Sequence, residues 1–228
     1  MGRVILIFGQ PASGKSFSLR TLEPAQTVII DADKKGALPW RGSKSIYNAA
    51  NKNFYSFHQL DKILAAVRSM DDNKDFQSKT NLVVDGFNNA MMSEVMFYDD
   101  ITHTKNKFEK YEVVAKKVVS IIDAAQSLRE GFNTIFTAHV ETADPYSDGD
   151  VDKIFTPGKL LKDKIKLESK FNYVFYARTE DGDWYFETTP NKSTARSPYE
   201  CFPPRIANDL QSAIDTIEKY ERTVEGGD

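Results

Sequence analysis

The stretch "RVILIFGQPASGKSFSLRTL", residues 3–22, decides the fold of this chain. Its apolar first part predicts a strand buried on both faces, and "SFSLRTL" predicts a helix after the loop. Between the two lies the G-x-x-x-x-G-K-S spacing that is typical of a phosphate-binding loop. Glycines let successive backbone N–H groups converge on an anion, and the N-terminus of the helix adds its dipole. We therefore expect ATP to be bound by Gly9, Gln10, Pro11, Ala12, Ser13, Gly14, Lys15, Ser16 and Phe17.

Two side chains of this loop and one distant carboxylate have distinct expected roles. Lys15 reaches the β- and γ-phosphates, and the Ser16 hydroxyl ligates Mg²⁺. Asp85 ends the apolar strand "NLVVDG", 81–86, where its carboxylate is expected to anchor the metal opposite Ser16. The alternative for Asp85 is a strand-end carboxylate that caps the next turn.

Apolar, β-branched runs alternate with helical patterns along the rest of the chain. Further strands are predicted at 27–31, 81–85, 133–139 and 172–178, and helices at 57–70, 110–131 and 203–221. This alternation predicts an α/β fold with a mostly parallel central sheet and helices on both faces. The Asp181-Gly182 turn predicts an antiparallel hairpin at one edge of the sheet. Residues 1–221 are expected to form one domain, and residues 222–228 a flexible acidic tail.

The composition of the chain argues against several classes of protein. The 228 residues carry a formal net charge of −3, so the chain has no overall basic surface for nucleic acid, although a local basic patch is compatible with that charge. The single cysteine, Cys201, cannot pair within the chain, which favours a reducing cytoplasm. The apolar run at the N-terminus is too short to span a bilayer, so we expect no membrane partner.

Two more strand ends carry polar side chains that we expect at the same edge of the sheet. After the strand 27–31, Asp33 is free to orient a water molecule, whereas Asp31 is interpreted as a structural acid. His139 ends the strand beside Asp85, where a neutral imidazole can sense the γ-phosphate by hydrogen bonding. The alternatives are a solvated loop acid for Asp33 and a solvent-facing histidine for His139.

The order of these elements resembles the RecA-like recombinase core, and within it the phage Sak-type single-strand annealing recombinases. The resemblance covers residues 3–205 and implies a P-loop ATPase of a phage, located in the host cytoplasm. "IIDADKKGALP", 29–39, is similar to the segment in which a strand-end Asp-Ala precedes the family's catalytic Glu. Asp33 takes the place of that Glu and is one methylene shorter, and His139 stands in place of the family's polar sensor, a Gln.

A late polar stretch, "TTPNKSTARSP" at 188–198, resembles the family's Asn-Lys segment. In the family the lysines of that segment reach the nucleotide of the neighbouring subunit. The resemblance therefore implies a homo-oligomer in which Lys192 and Arg196 act in trans. Without the resemblance, the stretch would be interpreted as a solvated loop.

The resemblance also implies single-stranded DNA as a partner, bound at two loops. The first, 88–110, contains Lys105, Lys107 and Lys110. The second, 140–170, contains aromatic residues that could stack on bases, and a group of lysines: Tyr146, Phe155, Lys159, Lys162, Lys164, Lys166 and Lys170. Clustered cations neutralise phosphates, and aromatic rings stack on bases. The alternative is a solvated lysine face on a helix.

These patterns together predict a Mg²⁺-dependent ATPase that acts on single-stranded DNA in phage recombination or replication. The chemistry would be in-line attack of water on the γ-phosphorus. Two other classes remain open at this point. One is a small kinase that uses the same loop to phosphorylate a metabolite, and the other is a non-hydrolysing, ATP-gated adaptor or clamp.

Overall fold

The computed structural model of the chain describes residues 1–101, 109–147 and 149–225. Nine strands lie within these residues: β1 (Arg3–Gly9), β2 (Thr27–Asp31), β3 (Phe54–Ser56), β4 (Asn81–Asp85), β5 (Asn133–Glu141), β6 (Lys153–Ile154), β7 (Tyr173–Glu180), β8 (Asp183–Glu187) and β9 (Arg205–Ala207). Five α-helices accompany them: α1 (Ser43–Ile46), α2 (Leu60–Asp72), α3 (Phe87–Ile101), α4 (Glu109–Gln126) and α5 (Leu210–Glu225).

The strands form one sheet in the order β3-β2-β4-β5-β1-β7-β8-β9, and β6 pairs with β5. The pairs from β3 to β7 along this path are parallel, whereas β8 and β9 are antiparallel to their neighbours. In the shared register Gly9 lies beside His139 and Asp31 beside Asp85. The carboxyl ends of the four parallel strands β1, β2, β4 and β5 therefore lie side by side at one end of the strands, which we call the carboxyl edge of the sheet.

Apolar side chains of alternate residues fill a core on each face of this sheet. One core joins β1 residues such as Leu6 and Phe8 to α2, α3 and α4. The other joins Ile5 and Ile7 to α5 and to the hairpin. Because the central strands are buried on both faces, their sequences are continuously apolar rather than alternating. The predicted α/β class, with a mostly parallel sheet and an antiparallel hairpin at one edge, is confirmed.

Several predicted elements differ from those in the structure. A 3₁₀-helix, Phe17–Thr21, follows the phosphate loop in place of the expected longer helix. The segment predicted as the first DNA loop is helical as α3 up to Ile101, because its apolar residues pack on the core. Lys110 lies in the first turn of α4, and Lys105 and Lys107 fall outside the described residues.

The last helix begins later and ends later than its pattern indicates. Residues 205–207 pair with β8 as a strand, so α5 starts only at Leu210. The Asp209 carboxylate accepts a hydrogen bond from the Ser212 N–H at 3.0 Å and caps the helix. The helix continues to Glu225, so the boundary of the expected flexible tail at residue 222 falls inside it. None of the helices in the described part of the chain combines the length and apolarity needed to cross a membrane.

Candidate functional site

A cavity of about 640 Å³ opens at the carboxyl edge of the sheet. Its lining brings together most of the predicted site: the loop residues 11–17 with Asp33, Asp85 and His139. These residues come from the ends of β1, β2, β4 and β5, which are adjacent in the sheet. Crevices of this kind are where open α/β sheets bind their ligands.

The phosphate loop takes a backbone shape that requires glycine. Gly14 has φ +86°, and Ala12 also has a positive φ, 63°. A Cβ atom at Gly9 would come 2.5 Å from the Ala177 carbonyl oxygen, so β1 and β7 could not pair this closely with any other residue there. The buried Ser13 hydroxyl has no hydrogen-bond partner among the described residues. A bound anion would supply one, as expected of a phosphate cradle.

Lys15 lies folded back on its own loop. Its ammonium donates to the carbonyl oxygens of Gly9 at 2.9 Å and Gln10 at 2.6 Å. Burial lowers the pKa of Lys15 to about 8, and the charge of Lys35 acts in the same direction, while Asp85 and Asp33 oppose it. The ammonium is therefore poised near an anion site but is only marginally protonated at mildly alkaline pH.

The Ser16 hydroxyl and the Asp85 carboxylate lie within hydrogen-bonding distance of each other, as two ligands of the predicted metal site should. The Ser16 hydroxyl donates to Asp85 Oδ1 at 2.8 Å, and the Thr137 hydroxyl donates to the same oxygen. Burial raises the pKa of Asp85, which is 4% exposed, whereas the two hydroxyl hydrogen bonds lower it. A serine hydroxyl and one carboxylate are the few hard oxygen ligands that Mg²⁺ needs when nucleotide phosphates complete its shell. The residues present thus fit Mg²⁺ with ATP.

Asp33 faces the cavity from the loop after β2. Its carboxylate accepts hydrogen bonds from Lys35 Nζ and from Asn89 Nδ2. It also lies against Gly86, where φ is +87° and a Cβ atom would come 2.0 Å from Asp33 Oδ1. Asp31 does not line the cavity, because its carboxylate accepts the N–H groups of Lys35 and Gly36 and so shapes the loop. This agrees with its interpretation as a structural acid.

His139 lies beside the phosphate loop, with its backbone N–H donated to Asn88 Oδ1. Burial and the charge of Lys15 lower its pKa, so the imidazole is neutral at physiological pH. Its buried Nδ1 atom has no hydrogen-bond partner among the described residues. A neutral ring with an unused nitrogen beside the cavity is what the sensor interpretation needs, although that role stays a prediction.

Neither Lys192 nor Arg196 is among the described residues that line the cavity. Lys192 is exposed in a left-handed turn, φ 51°, and its carbonyl oxygen accepts the Asp152 N–H. Arg196 donates to the carbonyl oxygens of Glu168, Ser169 and Phe171 in its own chain. Its guanidinium thus holds the end of a short helix in place, which is a structural role. Action in trans stays a prediction for Lys192, and for Arg196 it would require these three bonds to break.

Several site residues were not singled out from the sequence. Asn88 and Asn89, in the first turn of α3, contact His139 and Asp33, and Lys35 pairs with Asp33. Trp184 lies over the phosphate loop from the hairpin. Asn88 and Asn89 follow Asp85 by only three and four residues in the sequence, which was a signal for the first two. Nothing in the sequence placed Trp184, because only the folding of the hairpin brings it to residue 12.

Of three comparisons with known proteins, the one with family models identifies the family of this chain. No curated protein matches the chain significantly. Among solved structures, the ATPase DotB of Legionella pneumophila is 11% identical with a TM-score of 0.35, and the match covers 82% of this chain and 45% of that chain. The chain thus spans less than half of that protein. A family model described as an AAA domain matches residues 1–198. The chain therefore belongs to the AAA domain family of P-loop ATPases.

Proposed function

We propose that this chain is a Mg²⁺-dependent ATPase of the RecA-like class that acts on single-stranded DNA in phage recombination or replication. One observation carries the hydrolytic part. The phosphate loop, the Ser16–Asp85 pair and the Asp33 carboxylate converge on one cavity. The proposed site therefore offers a place for the phosphates, ligands for a metal and a base for water.

In this mechanism each side chain acts on a separate part of the reaction. The loop N–H groups and the Lys15 ammonium bind the phosphates and stabilise the negative charge of the transition state. Ser16 and Asp85 would hold Mg²⁺, which supplies further charge neutralisation when bound. Asp33 orients a water molecule for in-line attack and accepts its proton. His139, as a neutral donor or acceptor, responds to the γ-phosphate.

Replacing Asp33 by asparagine is expected to lower the rate of ATP hydrolysis by about 100-fold or more while ATP affinity is retained. The amide keeps the size of the side chain and can still accept from Asn89, but it cannot accept a proton from water. The measurement is single-turnover hydrolysis together with equilibrium binding of ATP.

The matched control for Asp33 is Asp75→Asn, which removes a carboxylate whose ion pair, with Lys52, lies on the surface outside the cavity. That variant should hydrolyse ATP like the unmodified protein. Unchanged turnover in Asp33→Asn would remove the water-orienting role and leave the ATP-gated clamp as the better account.

The DNA part of the proposal rests on the segment 153–170. It contains a π-helix, Leu160–Ile165, and exposes three lysines, Lys159, Lys164 and Lys166. Lys162 and Lys170 are instead paired with Glu141 and Asp123 of the same chain. Three exposed cations on one short segment support contact with a phosphate backbone. Tyr146, which precedes this segment by seven residues in the sequence, is 97% exposed, which suits stacking on a base.

Asn88 offers a route by which nucleotide could influence this segment. Its side-chain oxygen accepts the His139 N–H, and its side-chain nitrogen donates to the Phe155 carbonyl. The Phe155 N–H in turn donates to the His139 carbonyl at 2.9 Å. The end of β5, beside the phosphate loop, is thus tied directly to the start of the lysine segment. This connection supports control of DNA binding by ATP.

Single-stranded DNA is expected to stimulate ADP release by the unmodified protein, and Lys192→Ala should abolish that stimulation while ATP binding stays intact. The reason is that Lys192 is proposed to complete the site of a neighbouring subunit, as cations supplied in trans do in related reactions. Stimulation should weaken steeply as the salt concentration rises. The assay is ADP release with and without DNA across protein concentration.

The control for Lys192 is Lys52→Ala, because Lys52 is also an exposed lysine with a positive φ, 52°. Mixing Lys15→Ala with Lys192→Ala protein should restore some activity, since each supplies what the other lacks. Equal loss of ATP binding and hydrolysis in Lys192→Ala would make the loop structural. No stimulation and no DNA binding at low salt would refute the DNA assignment.

A further inference from the structure

An aromatic wall, formed by Phe17 and Trp184, closes one rim of the nucleotide cavity. The two ring centroids are 4.6 Å apart, with an angle of 52° between the planes. Phe17 directly follows Ser16, the proposed metal ligand, and Trp184 lies on β8, opposite Thr179 of β7. Among the described residues that line the cavity, these are the two with phenyl or indole rings.

Trp184 is held in place by the phosphate loop itself. Its indole N–H donates to the Ala12 carbonyl at 2.9 Å. Gly14 lies so close that a Cβ atom there would come 2.8 Å from Trp184 Cγ. Trp184 nevertheless remains 39% exposed, so part of the ring is open to solvent. A large apolar ring that is fixed at one edge and open elsewhere is a preformed stacking surface, because little further ordering is needed on binding.

The other side of the wall is equally fixed. The Arg20 guanidinium lies 3.9 Å from the Phe17 ring centroid and also donates to the Asn208 side chain. Asn208 in turn donates to the Gly14 carbonyl at 3.2 Å. The polar groups around the aromatic wall, on Trp184, Arg20 and Asn208, are thus already engaged in hydrogen bonds that fix the phosphate loop. The wall offers ring surface to a ligand rather than polar groups.

The positions of the polar residues set the direction of a bound nucleotide. In the proposed mechanism the terminal phosphate reacts at the end of the cavity beside Asp85, Thr137 and His139, which lie near the carboxyl ends of β4 and β5. Ribose and base must then extend away from that end. The aromatic wall, together with the apolar Pro11, is the rim of the loop that can receive them.

We propose that the aromatic wall is the base subsite, at which the purine of the nucleotide stacks on Trp184. This inference rests on the proposed function, since it needs phosphates in the loop. Every nucleobase has a π-face, and stacking on aromatic side chains contributes to binding without reading the base edge. The wall therefore contributes affinity for the base and leaves the phosphate contacts to the loop.

Binding of ADP compared with inorganic tripolyphosphate, both with Mg²⁺, separates these contributions. Trp184→Ala is expected to weaken ADP binding by about 10- to 100-fold and to leave tripolyphosphate binding unchanged. Trp184→Phe keeps a ring but loses the N–H to Ala12, so it should retain most of the ADP affinity. Equal weakening of both ligands in Trp184→Ala, or a Trp184→Phe as weak as the alanine variant, would overturn the base subsite.

A second measurement leaves Trp184 unchanged and so does not depend on how its variants fold. The chain has two tryptophans, and Trp40, which packs on Tyr47, is not among the described residues that line the cavity. In Trp40→Phe protein, ADP should change the fluorescence of Trp184 much more than tripolyphosphate does. Equal changes with both ligands would refute the proposal. If the unmodified protein bound neither ligand, the proposed function itself would fail, which is a distinct result.

Discussion

Lys15→Ala is expected to lower the rate of ATP hydrolysis by about 100- to 1000-fold, the cost of removing one preorganised stabilising group from a transition state. The Lys15 ammonium is the cationic side chain of the phosphate loop, and its Nζ is now held by two carbonyl oxygens of that loop. A phosphate would replace those neutral partners with a charged one. The measurement is single-turnover hydrolysis, with circular dichroism to verify folding.

The pH dependence of ATP affinity tests whether the positive charge of Lys15 contributes to ATP binding. Burial holds the pKa of free Lys15 at about 8, and a bound polyanion raises it because an opposite charge favours the protonated form. Affinity should therefore be constant below pH 8 and weaken above it, by up to about tenfold per pH unit. The phosphates do not confound this range, because they are already ionised there. In Lys15→Ala the affinity should be low and independent of pH, and the same pH profile in both proteins would contradict the assignment.

Asp85→Asn is expected to lower Mg²⁺-dependent hydrolysis by about 100- to 1000-fold and to raise the Mg²⁺ concentration needed for half-maximal rate. The amide oxygen can still accept the Ser16 hydroxyl, so the loop keeps its shape, but the negative charge that attracts the metal is gone. The measurement is a Mg²⁺ titration of ATPase activity.

The same variant should gain stability while it loses activity. Burial raises the pKa of Asp85 in the folded state, so its ionised form opposes folding, and this cost is present at neutral pH and absent below the unfolded pKa. Removing the charge removes the cost, as is common where a site is built at the expense of stability. The thermal midpoint of Asp85→Asn should therefore rise at pH 7.

Asp31→Asn is the matched control for Asp85, because the two acids are paired in register on neighbouring strands. The Asp31 carboxylate accepts backbone N–H groups at both oxygens, and an amide cannot do so at its nitrogen. That variant should lose stability. A lower thermal midpoint in both variants would show that the Asp85 charge is not a net cost to the fold.

The sequence alone was enough to predict the fold class and the convergence of five candidate site residues on one cavity. Continuous apolar runs identify strands buried on both faces, and parallel strands place their carboxyl ends together. Asp33, Asp85 and His139 lie within two residues of such ends, and Lys15 and Ser16 belong to the phosphate-loop motif that follows β1, so their convergence followed from local pattern and topology. The type of helix predicted after the phosphate loop was wrong, because only five residues, Phe17–Thr21, are helical there and they form a 3₁₀-helix.

The sequence pattern did not predict the short strand at the edge of the sheet, because such elements form only with partners that are distant in the sequence. β9 forms where Arg205–Ala207 meets β8, and periodicity alone favoured a helix over those residues. In the same way, α3 was expected as part of a DNA-binding loop, although its Ala90, Met91 and Val95 side chains are buried in the core. Burial of this kind depends on which elements pack together, which a local pattern does not report.

What the sequence by itself determined is the fold class and the set of polar residues at the carboxyl ends of the strands, because the phosphate-loop motif and the terminal acids are local and the sheet topology follows from alternation. Only the tertiary structure decided which other side chains complete the site. Asn88 and Asn89 contact His139 and Asp33, and Trp184 closes the loop from 172 residues away from Ala12. It also placed Arg196 on carbonyl oxygens of its own chain. The physical reason is that these contacts join distant segments, and their geometry is fixed by packing rather than by spacing.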